Sequence, residues 1–278
     1  MTVYRNIAVG QSKSKTLYID AYLPESGGDF DTAVFFHGTK GFKNWGAWPF
    51  MAPFFNHENI ALVTVGFSHN GLAAPDADTF DDPAAYASNT ISLELAEMKM
   101  VIDWLEQKSE EWKLSGLFHL IGHSRAGGEV LIYACRDQRI DKVITWATID
   151  NFLHVFRDFD REKWKEDGAV IIKNQRTGQE LPVNYTFLTD VEKNQPEFNI
   201  LKAASIITNP LLLIHGNKDD SVSIQCSKNI YENCLHSILV EIENANHVFG
   251  LKHPWAENAK FPREFIQVLD NTVDFIKG

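Results

Sequence analysis

The chain has 278 residues, a length that suits one α/β domain with an inserted subdomain better than two full domains. Hydrophobic residues make up 44% and charged residues 23%, which excludes a disordered tail, a collagen-like chain and a small disulfide scaffold. With 26 basic and 37 acidic residues the net charge is −11, so we expect no binding to nucleic acid or to an anionic membrane surface.

The cysteines and the first residues of the chain bear on its compartment. Cys135, Cys226 and Cys234 are an odd number without metal-type spacing, which is typical of a reducing compartment. Residues 1–10 contain no apolar run of signal-peptide length, and no window approaches the roughly 18 apolar residues of a membrane span. These features predict a cytoplasmic protein without a membrane segment.

The chain opens with β-rich segments and continues with short apolar runs. Val3–Val9 and Thr16–Leu23, separated by a polar turn, predict an opening hairpin. The apolar runs that follow are Ala33–Phe36, Ile60–Val65, Leu117–Ile121, Lys142–Ala147, Leu211–Ile214 and Ile238–Ile242. Runs without alternation are typical of strands buried on both faces, as in parallel sheets.

Helical patterns lie between these runs. Met98–Leu105 and Phe265–Ile276 carry apolar residues at spacings of three and four, and Glu129–Ala134 is also compatible with a helix. Strands that alternate with helices predict the α/β class, with a mostly parallel, doubly wound sheet. In such sheets, ligands bind beyond the carboxyl ends of the strands.

The stretch 151–209 breaks the alternation, because it is polar and aromatic and has no clear core strand. Val170–Lys173 and Leu181–Val183 flank Arg176–Gln179 and predict a small hairpin. A structureless loop of this length is uncommon in a compact domain, so an inserted cap is the better interpretation. The predicted organisation is a core of residues 1–150 and 210–278 with a cap or lid over 151–209.

Gly122–Gly127, with the sequence Gly-His-Ser-Arg-Ala-Gly, lies between a predicted strand and a helix-compatible run, as a nucleophile elbow must. The tight turn requires small residues two positions before and after Ser124, and Gly122 and Ala126 satisfy this. The following helix would point its free N–H groups at the serine. A serine that merely caps a helix would explain Ser124 alone.

A serine nucleophile needs a base, and that base needs an orienting acid. Asp219 and Asp220 follow the Leu211–Ile214 run, and His247 follows Ile238–Ile242. The order serine, aspartate, histidine is the one expected of one hydrolase architecture. Asp150 after Lys142–Ala147 is a weaker candidate acid, and His253 a weaker candidate base. The sequence therefore predicts Ser124 and His247 as catalytic residues, with Asp219 or Asp220 as the orienting acid.

These motifs resemble the α/β-hydrolases, near the branch of dienelactone-hydrolase-like and prolyl-oligopeptidase-like serine esterases. The matching segments are His37–Gly41, Gly122–Gly127, His215–Val222 and His247. The resemblance implies an α/β-hydrolase fold and assigns the acid to Asp219, three residues after Gly216. Ala126 stands where glycine is usual, and Ser124 replaces the cysteine of true dienelactone hydrolases, so that activity is not implied.

An oxyanion hole requires two backbone N–H groups aimed at the developing charge. One should belong to Arg125, the residue after the nucleophile, and the other to the loop after Ala33–Phe36. The resemblance places the second donor at Thr39. The Arg125 side chain would either contact an anionic substrate or be solvated, and His37, His123 and His215 are expected to be structural hydrogen-bonding residues.

Aromatic residues near the predicted site could pack the fold or line an acyl pocket. Those after Gly41 are expected chiefly to pack the first helix, and those of the cap could do either. Trp45, Phe156 and Trp164 are the candidate substrate-binding residues. The acidic, Ala- and Pro-rich stretch Leu72–Ser88 is predicted to be a surface loop.

No cofactor or metal is predicted, because the histidines and cysteines lack metal-type spacing and no phosphate-loop or dinucleotide motif is complete. We therefore expect a serine hydrolase of the carboxylesterase type (EC 3.1.1) acting on a small-molecule ester through an acyl-enzyme. A peptidase or thioesterase on the same residues, or a binding protein that has lost catalysis, are the alternatives. Peptidase relatives usually carry a large β-propeller, for which 278 residues leave no room.

Overall fold

The computed structural model describes residues 1–25, 27–175 and 177–278. The strands are β1 Thr2–Ser12, β2 Lys15–Leu23, β3 Phe30–Phe36, β4 Ile60–Gly66, β5 Leu114–His123, β6 Ile140–Trp146, β7 Ala169–Lys173, β8 Glu180–Asn184, β9 Leu211–Gly216 and β10 Ser237–Ile242. The helices are α1 Ala52–His57, α2 Pro83–Ala87, α3 Ile91–Trp112, α4 Arg125–Ala134, α5 Arg161–Asp167, α6 Tyr185–Lys193, α7 Ile200–Ile206, α8 Gln225–Asn233 and α9 Arg263–Lys277. Short 3-10 helices lie at Trp48–Met51 and His154–Phe156.

Within the described residues, the main sheet has eight strands in the order β1-β2-β4-β3-β5-β6-β9-β10. Six neighbouring strands run parallel to one another, in the order β4, β3, β5, β6, β9 and β10. At one edge, β2 pairs antiparallel with β4, and β1 pairs antiparallel with β2. The predicted opening hairpin and parallel core are therefore confirmed. Their order brings the carboxyl ends of β3, β5, β6, β9 and β10 to one edge of the sheet, where side chains from distant segments can meet.

The helices cover the sheet in two groups, which explains why its central strands are apolar throughout. Helix α1 packs against α9 and β4, while α3, α4, α7 and α8 form a second, connected group. Strands β4 and β9 are accordingly buried along almost their whole length. Burial on both faces removes the alternation that a half-exposed strand would show. None of the described helices has the length and apolar character needed to cross a membrane.

The prediction of a surface loop over Leu72–Ser88 is wrong in part. Helix α2 lies within this stretch, with the Asp82 carboxylate accepting a hydrogen bond from the Ala85 N–H at its start. Leu72, Phe80 and Tyr86 are buried, and the rings of the last two are 5.8 Å apart. A few large apolar residues among alanines and acids leave no periodic pattern, so tertiary burial was not visible in the sequence.

The residues 151–209, which we call the 151–209 segment, run between β6 and β9. They contain α5, α6, α7 and the antiparallel pair β7–β8, so the predicted hairpin is confirmed. Arg176, in its predicted turn, lies outside the described residues. Helix α7 contacts α4 and α8, and β8 contacts α2. The segment is thus packed against the core at several points.

Candidate active site

Ser124 lies at a sharp turn between β5 and α4, with φ 59° and ψ −120°. A residue with a side chain is strained in this region, at a cost of about 1–3 kcal/mol, and needs support from its surroundings. The Ser124 N–H donates to the Trp146 carbonyl at 2.8 Å. A Cβ on Gly122 would lie 2.3 Å from the Ala126 carbonyl oxygen, which explains the small residues around the serine. The turn therefore exposes the Ser124 hydroxyl at the carboxyl end of β5.

His247 connects Ser124 to Asp219. Its Nε2 lies 3.1 Å from the Ser124 Oγ, and its Nδ1 lies 2.7 Å from Asp219 Oδ2. A carboxylate can only accept, so Nδ1 carries the proton and Nε2 is left to accept one from the hydroxyl. The structure thus brings the three predicted catalytic residues together in hydrogen-bonding order.

The carboxylate of Asp219 is fully buried and held by several donors. Oδ1 accepts from the backbone N–H groups of Ser221 and Val222, both at 2.9 Å, and Oδ2 also lies 3.2 Å from Nε2 of His215. Burial by itself raises the pKa of this carboxyl, but hydrogen bonds from His215 and His247 outweigh it and hold the pKa below its ordinary value. Asp219 is therefore ionised and fixed in position at neutral pH.

The weaker candidates for acid and base lie in other surroundings. Asp220 is exposed, and the Asp150 carboxylate accepts a hydrogen bond from Asn229 at 2.7 Å. His253 Nδ1 accepts from the backbone N–H of Gly46 at 2.9 Å. The structure records no hydrogen bond from any of these three side chains to Ser124 or His247 within the described residues.

His37 and His123 act as structural hydrogen-bonding residues, as predicted. His123 Nε2 lies 2.9 Å from the His247 carbonyl oxygen and donates to it, which ties the loop after β10 to the elbow. Burial lowers the pKa of His123 to about 3 and that of His37 to about 4, so both rings are neutral at pH 7. His37 Nε2 accepts from the Phe67 N–H, and Nδ1–H therefore donates to the Gly38 carbonyl at 3.0 Å.

The loop after β3 packs directly on the serine. A Cβ on Gly38 would lie 2.6 Å from the Ser124 Cβ, so only glycine allows this approach. The Gly38 carbonyl is held by His37 and by the Gly41 N–H, and in a trans peptide the next N–H, that of Thr39, points the opposite way. The N–H of Arg125 belongs to the first turn of α4, where amides lack helical acceptors. Both groups therefore suit the predicted oxyanion hole.

The prediction for the Arg125 side chain is corrected: it is neither solvated nor free for substrate. It is 14% exposed and forms an ion pair at 2.5 Å with Glu94, which is buried. Burial raises the pKa of nearby Glu129 well above its ordinary value, and the charge of Glu94 adds to this. Burial opposes ionisation of Glu94 too, but Arg125 and a hydrogen bond from Glu129 hold its pKa below the usual value. This cluster ties α4 to α3.

A cavity of about 720 Å³ opens beside Ser124 and His247 and is bordered by both the core and the 151–209 segment. Two predicted substrate-binding residues, Trp45 and Phe156, line it, as do the predicted oxyanion donors Thr39 and Arg125. Trp164 lies elsewhere: it is 1% exposed, and its indole N–H donates to the Val183 carbonyl at 3.0 Å. Its ring packs at 5.0 Å from Phe156, so Trp164 belongs to the interior of the segment.

Sequence reasoning missed some residues of the site. Tyr86, in the region predicted to be a surface loop, and Asn89, just after that region, border the cavity. The second donor to Asp219, His215, was recognised only as a structural histidine in a turn. Its Nδ1 accepts from the Ser227 hydroxyl at 2.7 Å, so Nε2 carries the proton, which is shared between the Val222 carbonyl at 3.0 Å and the Asp219 carboxylate at 3.2 Å. The signal for this role was its place four residues before Asp219.

Comparison with solved structures shows that the chain has the α/β-hydrolase fold. Similar structures include Est1E from Butyrivibrio proteoclasticus (14% identity, 99% of this chain and 98% of that one, TM-score 0.71), of which a second structure contains ferulic acid. A putative hydrolase from Agrobacterium vitis S4 has 15% identity, 99% coverage of both chains and a TM-score of 0.74. Dienelactone hydrolase from Anabaena variabilis has 16% identity, covers 99% and 97%, and has a TM-score of 0.64. No protein-family model matches the sequence, and neither does any curated protein.

Proposed function

We propose that the protein is a serine hydrolase that cleaves carboxylic esters through an acyl-enzyme. The observation that carries this proposal is the hydrogen-bonded series Ser124–His247–Asp219, with the serine on a strained turn and the carboxylate ionised. A buried, fixed carboxylate holds the imidazole in the tautomer that can accept the serine proton. The position of this series at the carboxyl ends of the strands, where ligands usually bind in such sheets, also supports the proposal.

The reaction would proceed in two stages. His247 Nε2 takes the Ser124 proton while Oγ attacks the ester carbonyl, and the tetrahedral oxyanion is stabilised by the N–H groups of Arg125 and Thr39. The imidazolium then gives its proton to the leaving alcohol as the acyl–serine ester forms. In the second stage His247 activates a water, which releases the acid and restores the serine.

The cavity supports an ester of moderate size with an apolar acyl group. Its volume of about 720 Å³ lies in the range of small-molecule sites. The residues that the 151–209 segment contributes include Phe152, Phe156, Ile172, Val183 and Phe187. We propose that this segment acts as a cap that excludes water from the oxyanion. The ferulic acid bound to Est1E makes esters of aromatic acids a reasonable first class to test.

A panel of aryl esters with graded acyl length, extended to feruloyl esters, tests the proposal. If the proposal is right, turnover should be saturable, and kcat/KM should rise with the size of the acyl group until the group fills the cavity. A matched thioester and a matched peptide amide of the preferred acyl group distinguish the alternatives that use the same residues. Faster turnover of the thioester or amide than of the ester would replace the ester assignment, and no turnover of any member would favour a non-catalytic binding protein.

A further inference from the structure

A second group of reactive side chains lies close to the candidate active site and takes no part in the Ser124–His247–Asp219 series. Asp150 follows β6, His154 begins the 3-10 helix at the start of the 151–209 segment, and Cys226 lies in the first turn of α8. One carboxylate oxygen, one ring nitrogen and the thiol sulfur of these residues all lie within 4.8 Å of one another. Two neighbouring residues and one distant residue thus bring together three different metal-binding atoms.

We propose that Asp150, His154 and Cys226 form a binding site for one divalent transition-metal ion of the Zn²⁺ type. Zinc binds thiolate, imidazole and carboxylate, whereas Mg²⁺ and Ca²⁺ prefer sites made of oxygen atoms alone. Tetrahedral zinc holds such ligand atoms about 3.3–3.5 Å apart, so the side chains need to close in by only about 1 Å. A water would take the fourth position.

The surroundings of the three residues favour a formed site over an accidental cluster. The Asn229 side-chain N–H donates to Asp150 Oδ2 at 2.7 Å, which orients the carboxylate. Hydrogen bonds of this kind are common around metal ligands. The Cys226 side chain is only 4% exposed, and His154 is half-buried on the cavity wall. Cys226 is therefore shielded from solvent, while His154 borders the cavity.

The position of the site indicates what the ion would do. Asp150 and Cys226 belong to the core, whereas His154 belongs to the 151–209 segment, two residues before the cavity-lining Phe156. A bound ion would cross-link the start of the segment to the sheet. Because a ligand that binds only the folded state stabilises it, zinc should raise the melting temperature. Sequence spacing could not predict such a site, since Cys226 lies far along the chain from Asp150 and His154.

The metal-free full chain is titrated with Co²⁺, whose complexes with thiolates have a charge-transfer absorption band, and with Zn²⁺ in thermal melts. The proposal predicts one Co²⁺ per chain with a thiolate band, displacement of that band by Zn²⁺, and a zinc-dependent rise in melting temperature. Both effects should be lost in Cys226→Ser and in His154→Gln. Asn229→Ala should weaken binding by roughly 10- to 100-fold.

Matched controls come from the same region. Cys234→Ser removes another buried thiol, at the end of α8, and His236→Gln removes an exposed imidazole nearby, so both should bind like the wild type. If Cys226→Ser fails to fold, His154→Gln still tests the proposal, because His154 is half-exposed and its replacement should leave the fold intact. A folded wild type without a thiolate band, or a band that persists in Cys226→Ser or His154→Gln, would overturn the proposal.

Discussion

The carboxyl ends of the parallel strands and the 151–209 segment border the same cavity, but they are built differently. In the core, Ser124 follows β5, Asp219 lies in the loop after β9, and His247 lies in the loop after β10. In the segment, short helices and a hairpin pack around aromatic rings such as those of Phe156 and Trp164. The sheet therefore places the proposed catalytic atoms, while side-chain packing shapes the cavity around them. Substitutions of the proposed catalytic residues should consequently lower turnover, whereas substitutions in the segment should change stability or the preference among acyl groups.

The largest expected effect is on turnover in Ser124→Ala. Removing the nucleophile should lower kcat on the preferred ester by on the order of 10⁶-fold, by analogy with a serine protease. Only one hydroxyl is lost, so the thermal melt should be nearly unchanged. Ser205→Ala, which removes an exposed hydroxyl on α7, serves as the control and should keep full activity. Wild-type-like hydrolysis by Ser124→Ala would refute the proposal that Ser124, at the carboxyl end of β5, is the nucleophile.

The next largest loss of turnover should distinguish between the adjacent carboxylates of Asp219 and Asp220. Asp219→Asn should lower kcat by roughly 10⁴-fold, because an amide favours the wrong imidazole tautomer. Asp220→Asn is the matched control: its side chain is exposed and should matter far less. Steady-state kinetics of the two variants decide the assignment, and reversed effects would make Asp220 the acid.

Two aromatic residues of the 151–209 segment, Trp164 and Phe156, should differ in whether they affect stability or substrate preference. Trp164→Ala should lower the free energy of unfolding by about 3–5 kcal/mol, because it empties a packed interior, and should leave the order of ester preference intact. Phe156→Ala changes the cavity wall, so its loss of kcat/KM should grow with acyl size. Denaturant melts and the ester panel measure both. An altered preference order in Trp164→Ala would show that the segment's interior also sets specificity.

The smallest effect concerns pH and the buried histidines at the strand ends. The pKa of His123 is lowered to about 3 and that of His37 to about 4, whereas an unfolded histidine titrates near about 6.5. Between about 6.5 and about 4 the unfolded chain therefore binds more protons, and each histidine should cost about 1.4 kcal/mol of stability per pH unit as pH falls. Urea melts across this range measure the slope.

The variant His123→Asn tests the source of that slope, since it removes one titrating ring. Its stability should depend less steeply on pH than that of the wild type between about pH 6.5 and about pH 3, because the pKa of His123 is near 6.5 in the unfolded chain and about 3 in the folded one. Equal slopes in the two proteins would mean that His123 is not held neutral in the folded state.

The sequence allowed much of the core to be predicted, because each buried strand is a short apolar run and the key motifs directly follow such runs. Ser124, Asp219 and His247 were found in this way. The ion pair of Arg125 with Glu94 was not, because a partner 31 residues away leaves no local pattern. Short helices such as α5 and α7 were missed for a related reason: seven residues carry too little periodicity, and tertiary contacts decide their conformation.

Labelling with a fluorophosphonate, which reacts with an activated serine to form a stable adduct, tests directly whether Ser124 is the nucleophile. We expect one adduct per folded wild-type chain, located on Ser124 by peptide mass spectrometry and absent in Ser124→Ala. His247→Gln should react far more slowly, because nothing would then take the serine proton. A folded wild type that remains unlabelled, or an adduct on another residue that persists in Ser124→Ala, would contradict the account.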